Sequence, residues 1–193
     1  MGKRSNFERR EKDNYPTPFE AVKPLLPFLR RTKFIEPCCG DGDLIKHLES
    51  AGHECVAATD IRFNSEFDAT TFDFKGMIWT LQPLCFITNP PWDRKILHPM
   101  ITNLRRQMPV WLLLDADWMH TKQAYEHLLF CHAIVSVGRV KWIPDSKMTG
   151  KENCCWYLFD KIQYEPYKCT FWPRGMWNGQ PNYQESGSAD ETV

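Results

Sequence analysis

Four short apolar runs, each ending in residues that cannot extend a strand, constrain this chain more than any other feature. Lys33-Phe34-Ile35 runs into Glu36-Pro37-Cys38-Cys39-Gly40-Asp41-Gly42-Asp43-Leu44, residues 54–59 deliver Asp60, Leu84-Cys85-Phe86-Ile87 leads to Thr88-Asn89-Pro90-Pro91-Trp92, and residues 110–114 end at Asp115-Ala116-Asp117-Trp118. Apolar runs of this length bounded by Gly, Pro and Asp read as buried strands. Helical segments fall between them. One follows Gly42 and stops at Gly52, a usual C-terminal signal. A second spans about residues 94–107 and is interrupted by Pro99, and residues 119–129 place Ala124, Leu128 and Leu129 on one face. Upstream, Thr17 is expected to cap a helix beginning at Pro18, with Glu20 completing a capping box and Pro24 and Pro27 ending it early. Residues 70–74 read as a further short strand or its exit. Residues 133–137 and 155–159, with only a Gly/Pro/Lys loop between them, read as an antiparallel hairpin. The expected fold is α/β: a seven-stranded, mostly parallel sheet with a C-terminal antiparallel hairpin, flanked by helices.

At 193 residues the chain fits one domain with a core of its own. Residues 1–12 read as a flexible basic arm, 13–177 as the folded domain and 178–193 as a polar, disordered tail. Lysines and arginines total 24, matched by 24 acids, which excludes a generally basic nucleic-acid coat. The leading segment is nonetheless basic (Lys3, Arg4, Arg9, Arg10 and Lys12 among others) and either touches phosphates or is simply solvated. No run is long and apolar enough to span a bilayer, and the N-terminus lacks an apolar signal core, so the expectation is a cytoplasmic protein, in a host cytoplasm if phage-encoded. The eight cysteines include two adjacent pairs and no CxxC. That spacing fits free thiols in a reducing compartment better than a disulfide framework or a zinc ribbon, and the six histidines show no metal-ligand pattern.

The loop after the first strand carries two glycines that let backbone approach a ligand, and the N–H groups of a helix start lie behind them. It is neither the three-glycine dinucleotide fingerprint nor a phosphate loop. Asp41 and Asp43 disfavour phosphate, so a cationic or zwitterionic ligand fits better. Asp60 ends the second strand, where a carboxylate meets ribose hydroxyls in such sheets. Each feature alone is ordinary turn chemistry; together they indicate a nucleoside-bearing cofactor. At the third of these corners, the carboxamide oxygen of Asn89 and the carbonyl of Pro90 are two acceptors in fixed positions, able to take one N–H each from an exocyclic amine. That arrangement aims the nitrogen lone pair at an electrophile without prior deprotonation. Trp92 offers a face for base stacking, worth about 1–3 kcal/mol in comparable platforms. The plainer reading of the same corner is a strand-terminating turn that contains an aromatic. Asp115 and Asp117 either help admit an amine or cap the next helix, the second being the simpler role. The loop 138–144, with Arg139, Lys141 and Trp142, and with Lys147 and Lys151 beyond, mixes cations with an indole. It suits phosphate contact and base stacking, or is a surface loop with a docking Trp.

These motifs resemble the S-adenosylmethionine-dependent DNA N6-adenine methyltransferases, especially the compact phage-like, Dam-related proteins. EPCCGDGDL is similar to their cofactor loop, TDI with Asp60 to the ribose acid, FDF with Asp73 and Phe74 to the pair beside the cofactor adenine, NPPW to the catalytic tetrad, and YPTP to the N-terminal motif at the methionine end. The order, YPTP before the cofactor loop before NPPW, is similar to the gamma arrangement. The likeness covers about residues 14–160. It implies a Rossmann-like class I methyltransferase fold with S-adenosyl-L-methionine held by Tyr15, Thr17, Glu36, Pro37, Cys38, Gly40, Gly42, Asp60, Ile61, Asp73, Phe74 and Asn89. It implies catalysis at Asn89, Pro90, Pro91 and Trp92, nucleic acid (DNA before RNA) at Arg139, Lys141, Trp142 and Lys147, and no metal. The same corner would equally serve RNA adenine or a protein glutamine amide. Trp replaces the commoner Tyr or Phe of the tetrad. Only the loop 141–153 and the tail remain for target recognition, which implies a protein partner that supplies it, or a cofactor-binding subunit.

Overall fold

The computed structural model describes residues 16–143, 150–162 and 168–175; Tyr15, Lys147, the basic arm and the polar tail lie outside them. A seven-stranded sheet forms the centre: β1 (Lys33–Glu36), β2 (Glu54–Ala58), β3 (Cys85–Thr88), β4 (Val110–Asp115), β5 (Cys131–Arg139), β6 (Asn153–Phe159) and β7 (Thr170–Trp172), in the spatial order β2-β1-β3-β4-β6-β5-β7. β1 pairs in parallel with β2 and β3, β3 with β4, and β5 with β7, whereas β6 lies antiparallel between β4 and β5. The expected mostly parallel sheet with a closing antiparallel hairpin is present. Helices α1 (Phe19–Val22), α2 (Asp43–Ser50), α3 (Lys75–Leu81), α4 (Arg94–Gln107) and α5 (Tyr125–Leu128) complete it.

Strand side chains alternate between two cores, as the pleat requires. Val110, Leu112 and Leu114 of β4 face one core together with Leu97, Met100, Ile101 and Leu104 of α4. Trp111 and Leu113 face the other, which α1 and α2 close with Ala21, Val22, Leu44 and Leu48. The sheet is covered on both sides, so its strands read as continuous apolar runs. Trp156 is fully buried on β6 and donates its indole N–H to the carbonyl of Ala21 at 2.7 Å, which ties the short entry helix to the middle of the sheet.

Several elements differ from expectation. Pro99 does not break α4: its ring is exposed, and the Leu97, Met100, Ile101 and Leu104 stripe holds the helix on the sheet. A proline there removes one helical hydrogen bond, and burial of four large side chains outweighs that loss. Residues 70–74 form turns, not a strand. Asn103 of α4 donates to the carbonyls of Ala69 and Phe72, Gln107 accepts from the Phe74 N–H at 2.7 Å, and these bonds take the place of a strand ladder. The rings of Phe67, Phe72, Phe74 and Phe86 pack edge to face behind them. The seventh strand is instead β7, and α3 arises where no helical periodicity was evident. Residues 119–129 make short 3-10 turns before α5, with Asp115 accepting from the Asp117 N–H as a cap. Thr17 caps nothing; α1 starts at Phe19 after Pro18, without a side-chain cap. Trp156→Phe leaves the Ala21 carbonyl unpaired in the core and is expected to lower unfolding free energy by about 1–3 kcal/mol in urea denaturation.

Candidate active site

The parallel strands β1 to β4 bring their outgoing loops to one edge of the sheet, and a cavity of about 470 Å³ opens there. That volume lies within the range of small-molecule sites. It is lined by residues 36–41 after β1, by Asp60, Ile61 and Arg62, and by residues 67–70. Asn89, Pro91, the α4 residues Lys95, Ile96 and Met100, and Pro16 and Thr17 line it as well.

Local chemistry explains each placement. Gly40 (φ 52°) and Gly42 (φ 82°) both take left-handed backbone, which side-chain-bearing residues resist. The turn lets the Gly40 N–H donate to Asp60 Oδ2 at 2.9 Å, while Asp60 Oδ1 accepts from the Arg62 N–H at 2.8 Å and from Arg62 Nε at 3.2 Å. Asp60 is thereby held rigidly against the loop it faces. Glu36, at the end of β1, is only 2% exposed, and its Oε2 has no hydrogen-bond partner. Burial, and then the charges of Asp60 and Asp43, raise its carboxyl well above the usual range. An orphaned buried acid beside two further acids is a site for a cationic group. Cys38 and Cys39 stay protonated at neutral pH; burial pushes Cys38 strongly up and Cys39 up to about 11, so neither offers a thiolate.

Asn89 leaves β3 half-buried and donates its amide Nδ2 to Thr17 Oγ1 at 3.1 Å, across 72 residues of sequence. Thr17 is 6% exposed. With the amide nitrogen directed to that hydroxyl, the carboxamide oxygen is the acceptor edge of the corner. Pro90 is buried and Pro91 lines the cavity. Trp92 stands beside it, half-buried, with its indole N–H given to the Leu113 carbonyl at 3.0 Å and its ring set edge to face with Trp142, centroids 5.9 Å apart. The loop after β5 thus reaches the corner through Trp142, while Arg139 and Lys141 are exposed at the same edge.

No protein-family model matches the chain, and no curated protein matches its sequence. Solved structures do resemble it. The modification subunit of a candidate type I restriction enzyme from Vibrio vulnificus aligns with a TM-score of 0.51 at 13% identity, over 83% of this chain and 48% of that one, so the chain spans about half the length of that subunit. A candidate RNA methyltransferase from Pyrococcus horikoshii aligns with a TM-score of 0.48 at 18% identity, over 77% of this chain and 86% of that one. The fold is that of a class I methyltransferase.

Within this methyltransferase fold, Thr17, Glu36, Pro37, Cys38, Gly40, Asp60, Ile61, Asn89 and Pro91 share one cavity. Gly42 stands one turn behind it as the N-cap of α2. Asp73 and Phe74 lie elsewhere: Asp73 is exposed and pairs with Lys75 at 3.5 Å, and Phe74 is fully buried in the core. The acid on that side of the cavity is Asp68, whose Oδ1 accepts from the Thr70 N–H at 2.9 Å and from its hydroxyl at 2.7 Å. Phe67, Asp68, Thr70, Arg62 and Lys95 were not among the residues expected at the site. The one sequence signal for them was the Asp68-Ala69-Thr70 turn pattern.

The raised carboxyl of Glu36 has a consequence for stability. The folded protein holds its proton to higher pH than the unfolded chain, so this group's contribution to stability is full below the unfolded pKa and is lost as pH rises through the folded one. Glu36→Gln removes the titration. Without ligand, the Tm of the variant is expected to rise relative to the parent progressively from pH 5 to pH 8, in paired scanning calorimetry.

Proposed function

We propose that the chain is an S-adenosyl-L-methionine-dependent methyltransferase that methylates the exocyclic N6 of adenine in DNA. The observation that carries this reading is the Thr17-oriented carboxamide of Asn89 opening onto the same cavity as the buried carboxyl of Glu36, whose Oε2 has no hydrogen-bond partner. The cavity's donor set fits the cofactor: Glu36 for an ammonium, the Gly40 turn for the methionine end, Asp60 for ribose hydroxyls, and Asp68 with Thr70 on the purine side. Bound there, the cofactor supplies an electrophilic methyl group on a sulfonium.

The chain's own residues do the rest. The target adenine leaves the duplex and enters the corner, where the indole of Trp92, anchored by Leu113, forms a wall for stacking. Asn89 Oδ1 and the Pro90 carbonyl each accept one N–H of the amine. This holds the nitrogen lone pair toward the cavity while the amine keeps both protons. Held this way, the amine nitrogen would accept the methyl group that the bound cofactor would supply, and its surplus proton would then pass to water. Catalysis comes from orientation and exclusion of water, because no general base is required. Arg139, Lys141 and Trp142 supply phosphate and base contacts beside the corner. The corner itself would serve DNA or RNA adenine; DNA is put first because the motif set and its order, YPTP before the cofactor loop before NPPW, resemble those of the DNA enzymes. A protein partner would supply target recognition beyond the short loop after β5.

The test is transfer of labelled methyl to DNA, RNA and protein in parallel, followed by identification of the modified nucleoside. N6-methyladenine in DNA is expected; label confined to RNA adenine or to glutamine would move the substrate and retain the corner chemistry. Asn89→Ala is expected to lower turnover at least about 100-fold, comparable to loss of a preorganised polar group in other sites, with cofactor binding by calorimetry retained. Adenine methylation that survives this change would refute the mechanism. Thr17→Val, which keeps shape and removes the hydroxyl, is expected to reduce kcat about tenfold, the equivalent of one ordinary hydrogen bond, and Thr17→Ser to restore it.

A further inference from the structure

On the far edge of the sheet from the cofactor-side strands, two cysteines stand together that the methyltransferase reading does not use. Cys131 opens β5 and is buried; Cys169 immediately precedes β7 and is exposed. β5 and β7 are parallel neighbours, with Ala133 opposite Thr170 and Val135 opposite Trp172. This pairing brings the two sulfurs to 3.7 Å across 38 residues of sequence. Their contrast in exposure matters as much as their distance. Cys169 is open to a solvent oxidant, and the hydrogen bond with Cys131 holds its thiol below the usual range, whereas that bond and burial keep Cys131 protonated. An accessible thiol that ionises readily, backed by a shielded partner, has the arrangement of an attacking and a resolving cysteine. Other cysteines differ. Cys38, Cys55, Cys85 and Cys154 have thiols pushed up by burial, and Cys169 is the exposed cysteine among the described residues.

We propose that Cys131 and Cys169 form an oxidative modification site, in which a peroxide converts the pair to an intrachain disulfide that staples β7 to the sheet. The Cys169 thiolate attacks one peroxide oxygen, giving a sulfenic acid and one water after protonation. The Cys131 sulfur then attacks the sulfenic sulfur, its proton leaves with the departing hydroxide as a second water, and the S–S bond closes. Two thiols are oxidised by two electrons, and hydrogen peroxide is reduced to two waters. The sulfurs need to approach from 3.7 Å to about 2.05 Å, a small adjustment at the end of a three-residue edge strand. The staple would act beyond β7. Trp172 packs on Phe28 at 5.1 Å, and Phe28 on Trp111 of β4 at 6.2 Å. Arg174, just after β7, lies against Gly138 so closely that a Cβ there would sit 2.9 Å from its guanidinium carbon. The edge strand therefore braces both the β4 core and the end of the β5 strand that carries Arg139.

The experiment uses the full chain, reduced and then titrated with hydrogen peroxide, with trypsin mapping and intact mass under non-reducing conditions. The expected product is a monomer 2 Da lighter in which the peptide of residues 123–139 is joined to that of residues 169–174, reversed by a thiol reductant. Its Tm should exceed that of the reduced protein by about 5 °C or more, the effect of cross-linking a loop of this length. Cys169→Ser, a change at an exposed position, should abolish both the link and the Tm difference. In Cys131→Ser, Cys169 should stop at a sulfenic or sulfinic acid. The proposal is overturned if the wild-type chain gives only singly oxidised Cys169, only intermolecular dimers, a link between other cysteines, or a linked form no more stable than the reduced one.

Discussion

Parallel pairing of β1 with β2 and β3, and of β3 with β4, sets where this molecule can carry out chemistry. Strands running the same way release their chains at the same edge, so loops far apart in sequence meet there. Glu36, Asp60, Asn89 and Asp115 each stand at or just past the end of a parallel strand, separated by 24, 29 and 26 residues. None of them needs a long excursion to reach the others. Antiparallel β6 then closes the sheet against β4 and carries Trp156, whose bond to Ala21 fixes the segment bearing Thr17. The hydroxyl that orients Asn89 is therefore held by the same sheet that delivers Asn89.

Electrostatics gives that edge its selectivity. Glu36, Asp41, Asp43, Asp60 and Asp68 all line one cavity. Arg62 offsets part of this charge, bonding Asp60 and reaching Asp41 at 3.5 Å, but it leaves Glu36 Oε2 without a partner. A free phosphate would meet a field of the wrong sign. A ligand with an ammonium at one end and sugar hydroxyls at the other meets the right one. Arg62 and Lys95 are the cations among the five acids of this cavity, and further cations, Arg139, Lys141 and Lys151, stand around the β5–β6 loop, so a predominantly acidic small-molecule pocket and a basic rim share one edge.

Much of this was legible in the sequence because it depended on short-range rules. Apolar runs stopped by Gly, Pro and Asp located β1 to β6, and left-handed glycines marked the loop that approaches Asp60. What was not legible depended on distant partners. Residues 70–74 have the composition of a strand, yet the carboxamides of Asn103 and Gln107, some thirty residues later, take their backbone groups. Because of that, Asp73 points to solvent and Asp68 to the cavity. β7 has three residues and no periodicity to speak of; it exists because the exposed edge of β5 offers it a ladder. Pro99 looked like a breaker because the cost of a helical proline is local, whereas the gain that overrides it comes from a sheet face the helix covers. Thr17 had the spacing of a capping residue, but its hydroxyl found an amide 72 positions away.

The two tryptophans at the corner show how these levels combine. A stacking platform is useful only if its ring is stationary, and an exposed indole has several rotamers. Trp92 is half-buried, with its N–H tied to the end of β4 and an edge-on neighbour in Trp142. Trp142 comes from the loop between β5 and β6, whose near side is closed by the Gly150 N–H donating to the Val140 carbonyl at 2.8 Å. A Cβ at Gly150 would fall 2.7 Å from that same carbonyl, so the loop can close so tightly only with glycine there. The indole of the NPPW corner is thus braced by the loop that carries Lys141. A displacement of this loop that carries Trp142 away would remove the edge-on neighbour of Trp92 and leave its ring held by the Leu113 carbonyl, so the position of the loop and the shape of the corner are coupled.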